Sequence, residues 1–387
     1  MGTRQIYASS SDFQDHDGDI INGDYEVAVI VYEKFFAMLS QSSNSMLNNC
    51  ALLVVDELQM LSSVNRGPKL EIGIQKVIRN NSNPEKNTVN TRIMCLTTCD
   101  CKVTHVIEWL TVEDYRERRT PILIESPDRP VGLKEYVIEM DGSWKMRYIR
   151  GEHDYEVVKG EDSGKIEVLG FDAENKTDQS KKLLLKALLQ KIYLENQKAK
   201  VLIFANGRRR TYDIASYIAR QDILPYESIS EEMNQINEYE GDEYQNVLKE
   251  TLLPRKIAFH NASLSVALRE FIEDIFEKED QLRLVAATET LTIGMNMPVD
   301  VMILFDSEVH RGNSGLAEKL TSQEYKNFAG RAGRLGETNH IGESYIFAST
   351  NTNAAQYWDN YINCRTEEIM SALADTGEKA QAPYYLS

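Results

Sequence analysis

Short apolar runs alternate with helical stretches along most of this chain, and that alternation restricts the fold more than any other feature. "VAVIVY" (27–32), "ALLVVD" (51–56) and "RIMCLTT" (92–98) read as buried parallel strands. "GPKLEIGIQKVIRN" (67–80) carries Leu70, Ile74 and Val77 at helical spacing, with Pro68 suited to a helix start. "HVIEWL" (105–110) continues the alternation. A second set of strands follows in "KVLIFA" (200–205), "KIAFH" (256–260), "LRLVAAT" (282–288) and "VMILFD" (301–306), with helices expected at 179–196, 208–220 and 265–279. Strands interleaved with helices give doubly wound parallel sheets, and 387 residues suffice for two such domains.

Between the two sets, residues 133–171 have antiparallel character, with Asp141-Gly142 and Ser163-Gly164 as expected hairpin turns. They read as a connection between domains with strands of its own. Residues 351–387 read as helical before a polar tail.

Composition excludes several classes. No run of 18 apolar residues is present, so no membrane partner is expected, and the N-terminus lacks the apolar core of a signal peptide. With five cysteines and no export signal, a reducing cytoplasm is the expected compartment. The net charge of −17 argues against a surface that coats nucleic acid wholesale, though not against a local basic groove. Much of the acid lies in 228–250, which reads as a solvated insertion away from any site. "CLTTCDC" holds Cys95, Cys99 and Cys101, but its spacing lacks a paired C-x2-C, and small buried residues at a strand end are favoured over a zinc site.

The chemistry concentrates where strands end, the usual ligand edge of open α/β sheets. Asp56-Glu57 follows "LLVV". One or two carboxylates at a strand tip can hold hydrated Mg²⁺, and a neighbouring carboxylate can orient or deprotonate a water. Taken alone, such a pair is more simply a solvent-facing strand end. Thr288 and Thr290 in "ATETLTIGMNMP" can give hydroxyls to phosphates, and Gly294 with Pro298 shapes a loop. Arg331 and Arg334 in "FAGRAGRLG" would share a face if helical, and their forked guanidinium groups suit a γ-phosphoryl group. Glycines at 330, 333 and 336 cost a helix about 1 kcal/mol each, so they point to close backbone approach.

Taken in order, "VVDELQML…RGPKLE", "CLTTCD", "AFHNASL", "ATETLTIGMNMP" and "NFAGRAGRLG" resemble a superfamily 2 DExH-box helicase of the superkiller-like branch. "EVAVIVYEKFFAML" (26–39) resembles that branch's nucleic-acid-contacting strand, and "DRPVGLKEYVIE" (128–139) its interdomain connection. The resemblance implies an α/β fold of two RecA-like doubly wound parallel-sheet domains, the first incomplete. It divides the chain into 1–127 as a partial first motor domain, 128–176 as the connection with β-hairpins, 177–350 as the second motor domain, and 351–387 as the start of a further region. It implies ATP and Mg²⁺ as cofactors and single-stranded DNA or RNA as partner. Asp56 would hold Mg²⁺ with Glu57 nearby to polarise the water, and Gln59 would couple nucleotide to the second domain. Thr97, Thr98 and Asn327 would link hydrolysis to movement. Gly294, Asn296, Gly330 and Gly333 would lie against nucleotide, and Arg331 and Arg334 would reach its γ-phosphate. Lys34, His260, Thr288, Glu289 and Thr290 would lie along the nucleic acid.

The sequence departs from the family at Thr97-Thr98-Cys99, where Ser-Ala-Thr is usual, at Asn327, usually Gln, and at Asn261 and Ser263. It contains no phosphate loop of the form Gly-x4-Gly-Lys-[Ser/Thr]. "GEDSGKI" (160–166) is one residue short and places Ile166 where a hydroxyl is needed. The chain by itself is therefore expected to hydrolyse ATP weakly or not at all. Two alternatives follow: a nucleic-acid clamp without turnover, or half of a split enzyme whose phosphate loop comes from a second polypeptide.

Overall fold

The computed structural model describes residues 5–10, 14–48, 50–63, 66–81, 90–97, 101–113, 118–125, 129, 131–152, 159–172, 178–239, 243–278, 280–288, 299–310, 317–333, 341–363 and 367–375. The chain forms two compact units, one from residues 1–127 with 365–387, the other from 128–364.

In the first unit, β1 (Ile6–Ser9) and β2 (Val27–Ile30) pair in parallel, as do β3 (Leu52–Val55) and β4 (Arg92–Cys95). Leu52 stands opposite Arg92 and Val54 opposite Met94. α1 (Asp17–Asn22), α2 (Tyr32–Asn48) and α3 (Gly67–Asn81) bury Ile20, Met38, Leu39, Leu70, Ile74 and Val77. The helix expected at 67–80 is therefore observed, while residues 105–110 form α4 (Thr104–Leu110). Short pairings complete the unit: β5 (Cys101–Lys102) with residues 367–368, and β6 (Val112–Glu113) with β7 (Arg118–Arg119).

These strands are parallel, as expected, but not buried on both faces. Val29 is 65% exposed, Leu52 52% and Met94 50%, while Val55 is 3% exposed. Side chains alternate along a strand, and among the described residues the helices cover only one side.

The second unit is built on one eight-stranded sheet. β8 (Leu133–Glu139), β9 (Ser143–Ile149) and β10 (Glu161–Lys165) form its antiparallel side. Then come β17 (Gly342–Ala348), β14 (Val301–Leu304), β11 (Val201–Phe204), β13 (Leu284–Ala287) and β12 (Ile257–His260), all parallel. β8 joins this sheet alongside β17, Leu133 opposite Gly342, so the stretch read as a connection supplies three of its strands. β11 to β14 are buried at every position, as expected for parallel strands between helical layers. α5 (Asp178–Glu195), α6 (Arg208–Ala219) and α8 (Val266–Glu277) follow the expected spans to within two residues. α7 (Gln245–Val247) is a short turn running into a π-helical stretch, and β15 (Glu308–His310) pairs with β16 (Ala317–Lys319). Helices α9 (Ser322–Ala329) and α10 (Asn351–Tyr357) complete the unit.

Two local readings are corrected. Asp141-Gly142 does form a turn, but Ser163-Gly164 lies inside β10, opposite Lys145 and Trp144. Glycine is needed there because a Cβ at 164 would stand 2.5 Å from Cζ2 of Trp144. The acidic stretch 228–250 is not a solvated insertion: Met233, Ile236 and Leu248 are at most 2% exposed within the unit's core. Their spacing puts an apolar face inward and leaves the carboxylates outward.

Candidate functional site

In the first unit, β3 delivers Asp56 and Glu57 to its carboxyl end, followed by the 3₁₀ turn Leu58–Ser62. Glu57 takes a left-handed conformation, φ 48° and ψ 50°, which non-glycine residues adopt at a cost of about 1–2 kcal/mol. Surrounding bonds hold it there. Glu57 N–H donates to Asp56 Oδ1 at 2.9 Å, Leu58 N–H to Leu96 C=O at 2.8 Å, and the Tyr32 hydroxyl to Asp56 C=O. Burial, reinforced by the charges of Glu57 and Asp56, pushes the Tyr32 phenol well above its ordinary pKa, so it stays protonated and a donor.

Gln59 and Thr97 are brought together. Thr97 Oγ1 donates to Gln59 Oε1 at 2.8 Å, and Gln59 is 2% exposed. The acidic turn after β3 and the threonine after β4 are thus joined by one side-chain bond. Lys34, on α2, forms an ion pair with Asp17, which also accepts from Ser9 Oγ at 2.6 Å. The Lys34 bond holds the Asp17 carboxyl below the usual carboxylate range, with Ser9 adding to it. Residues 367–375 return to this unit: Ser62 and Met370 exchange hydrogen bonds, and Ser371 Oγ donates to Glu71 at 2.6 Å. Cys95 and Cys101 are free thiols, and among the described residues no group of three or more His, Cys, Asp or Glu side chains is placed to hold a metal.

In the second unit, His260 ends β12 and is 2% exposed, its Nε2 2.7 Å from Glu273 Oε1. Thr288 N–H donates to His260 C=O at 3.2 Å, so the residues after β12 and β13 are neighbours. Asn261 and Ser263, both departures from the family pattern, form one network. Asn261 Nδ2 donates to Arg208 C=O and Thr211 Oγ1, and its Oδ1 accepts from Ser263. Asn261 is fully buried, so these bonds satisfy a group that would otherwise be costly to bury.

Arg331 is not helical. α9 begins with a capping box, in which Thr321 and Glu324 exchange bonds, and ends at Ala329. Asn327 lies on α9, and Arg331 follows in a turn, 8% exposed. Gly333 sits at φ 71°, and a Cβ there would come 2.7 Å from Gly342 N, so the loop requires glycine. Gly330 carries the carbonyl on one side of Arg331, and it accepts a bond from Arg129 at 3.1 Å. Thr98, Glu289, Thr290, Gly294, Asn296 and Arg334 lie outside the described residues.

Sequence reading missed Tyr32 and Arg129, because their partners lie 24 and 201 residues away. It also missed a polar cavity of about 360 Å³ past the ends of β11, β14 and β17, lined by Lys181, Asn206, Arg210, Asp306 and Tyr357. Asp306 there is already saturated, by Arg210 at 2.5 Å, Asn206 N–H at 3.0 Å and Lys181 at 3.3 Å.

A large parallel-dominated sheet enclosed by helices is consistent with RecA-like helicase domains. Comparison with known proteins makes this specific. The helicase conserved C-terminal domain matches residues 180–336. The ATP-dependent DNA helicase Hel308 of Thermoplasma volcanium is 28% identical over 349 residues, 90% of this chain and 43% of that protein. Hel308 of Methanocella arvoryzae is 26% identical over 375 residues, 95% of this chain and 44% of that protein. These likenesses support a superfamily 2 DExH-box helicase of the superkiller-like branch. The chain spans less than half the length of these relatives.

Proposed function

We propose that the chain serves ATP-dependent movement along single-stranded DNA or RNA. The observation that carries this reading is the Asp56–Glu57 corner, held in a left-handed turn and joined through Gln59 to Thr97. A single hard carboxylate with a second beside it suits Mg²⁺, which takes one or two carboxylates together with phosphate oxygens and water. Bound there with ATP, the ion would offset charge on the phosphates. Asp56 is the residue that would hold it, and Glu57 would orient the attacking water and accept its proton. Gln59 and Thr97 would pass the state of that corner to β4. Arg331, with Arg334, would stabilise negative charge on the γ-phosphate. Lys34, Thr288, Glu289 and Thr290 would face the strand, chiefly its phosphates, giving little sequence preference. His260 is buried against Glu273, so it would act on the strand through its backbone and its neighbours.

The test is phosphate release by the chain with and without single-stranded DNA or RNA, with Glu57→Gln as control. With no phosphate loop among the 387 residues, little or no release is expected from the chain alone. Robust Glu57-dependent turnover would overturn the requirement for that loop. Single-stranded oligonucleotides are expected to bind with strong salt dependence, and absence of binding at low salt would remove the motor reading. A second reading, a split enzyme, is favoured by the uncovered apolar side of β2, β3 and β4, a surface another polypeptide could cover. Recovery of turnover on adding a polypeptide that carries a phosphate loop would separate it from a clamp without turnover.

A further inference from the structure

We propose that Arg129 is a positioning residue for Arg331, fixing the peptide groups on both sides of it. Its catalytic consequence rests on reading Arg331 as a γ-phosphate ligand; the structural hold does not. Arg129 Nη2 donates to Gly330 C=O at 3.1 Å and to Ala332 C=O at 2.7 Å, the two carbonyls that bracket Arg331. Its Nε donates to Val131 C=O at 3.0 Å.

The acceptors are groups that need a donor. α9 has ended at Ala329, and carbonyls beyond a helix C-terminus lack intrahelical partners. A guanidinium there also suits the negative end of the helix dipole. The other side of the loop is held by the backbone of Val299, which donates to Arg331 C=O at 3.4 Å and accepts from Gly333 N–H at 2.9 Å. Arg331 therefore sits between a strand-like bridge and the Arg129 side chain. Arg129 is itself anchored, since its C=O accepts from Glu152 N–H at 2.7 Å and it bridges to Gly151. Only a planar fork reaches these three carbonyls together; an ammonium is a point donor.

Arg129 belongs to the first residues of the second unit, where the chain enters from the first. Arg129 and the arginine loop are consequently one piece. A displacement of Arg129 would turn the peptide planes beside Arg331.

The experiment is amide hydrogen exchange of the full chain, read at residues 330–333 and at β11, β13 and β14. Arg129→Ala is expected to speed exchange at 330–333 by about tenfold or more and to leave the strands unchanged. Arg129→Lys should fall between. Guanidinium ion far below denaturing concentration should restore slow exchange in Arg129→Ala, which a general loss of folding would not allow. Unchanged exchange at 330–333, or acceleration spread over the whole unit and not reversed by guanidinium, overturns the proposal. Under conditions where the protein turns over ATP, Arg129→Ala should lower kcat with KM unchanged, Arg331→Ala should do the same, and the double variant should be no worse than Arg331→Ala. Wild-type protein with no turnover under any condition would sink the ATPase reading, while the exchange result would still decide the hold.

Discussion

Replacing Glu57 by glycine should leave the first unit more stable than replacing it by alanine, while either change removes any hydrolysis, and the size of the difference can be worked from one dihedral pair. Glu57 stands at φ 48° and ψ 50°, a conformation that costs a residue with a Cβ about 1–2 kcal/mol. Glu57→Ala removes the carboxylate but keeps the Cβ, so it keeps the strain. Glu57→Gly removes both, and the looser unfolded chain of glycine takes back about 0.5–1 kcal/mol. The glycine variant should therefore exceed the alanine variant by about 0.5–1 kcal/mol. The carboxylate's own interactions cancel in that difference. A reporter confined to this unit is at hand. Cys95 lies on β4 beside β3, and burial pushes its thiol up to about 11, so it alkylates slowly until the pair opens. Urea titrations read by Cys95 labelling should place the glycine midpoint about 0.3–0.5 M above the alanine midpoint, for a slope of about 2 kcal/mol/M. A glycine midpoint at or below that of alanine would refute the argument, showing that the corner is not strained or that the turn is not formed.

Thr97→Val should cost about 1–3 kcal/mol by the same labelling assay, because it leaves the Gln59 oxygen, in a residue 2% exposed, without its donor; Thr97→Ser should stay near wild type. Asp17→Asn tests the Lys34 pair through pH. The Asp17 carboxyl is held below its ordinary 3.8, so the pair's contribution, about 1 kcal/mol, is full above that value and fades as pH falls through the lowered folded value. Wild type should therefore lose its advantage over Asp17→Asn only in strong acid; an advantage already lost at pH 5 would contradict the assignment. Gly164→Val drives a side chain into the Trp144 ring, 2.5 Å from the Cβ position, and should lower stability by about 1–3 kcal/mol, seen as a lower thermal midpoint with altered tryptophan fluorescence.

The sequence was most informative where one physical cause acts along a whole element. β11, β13 and β14 are apolar throughout because both faces are covered, and α3 shows its buried stripe through Leu70, Ile74 and Val77. The same apolar look in β3 and β4 misled, since composition cannot say whether a second face has a cover, and Leu52 and Met94 are half exposed. Gly164 has two meanings, a turn or a place for a neighbouring ring, and only Trp144 decides between them. Asp56 and Thr97 do follow strands β3 and β4, and Glu57 and Gln59 lie beside and in the turn after β3, as their sequence positions implied. Sequence spacing puts Arg331 on a face with Arg334 only if the segment is helical, but the helix ends at Ala329 and Arg331 follows in a turn. Tyr32 and Arg129 carry no local signal, because their acceptors are main-chain carbonyls that any sequence supplies.

The return of residues 367–375 to the first unit sets an order of assembly during synthesis. Ile369 is 3% exposed in a cluster with Val55, Leu58, Leu70 and Ile74, yet it leaves the ribosome only after the whole second unit. The second unit is continuous in sequence and can close once Trp358, Tyr361 and Ile362, which follow its last strand, have emerged. The first begins earlier and must wait to seal its core, the reverse of the usual N-terminal-first sequence. Throughout that wait, the acidic corner rests on an unfinished foundation, finished by residues made only after the second unit.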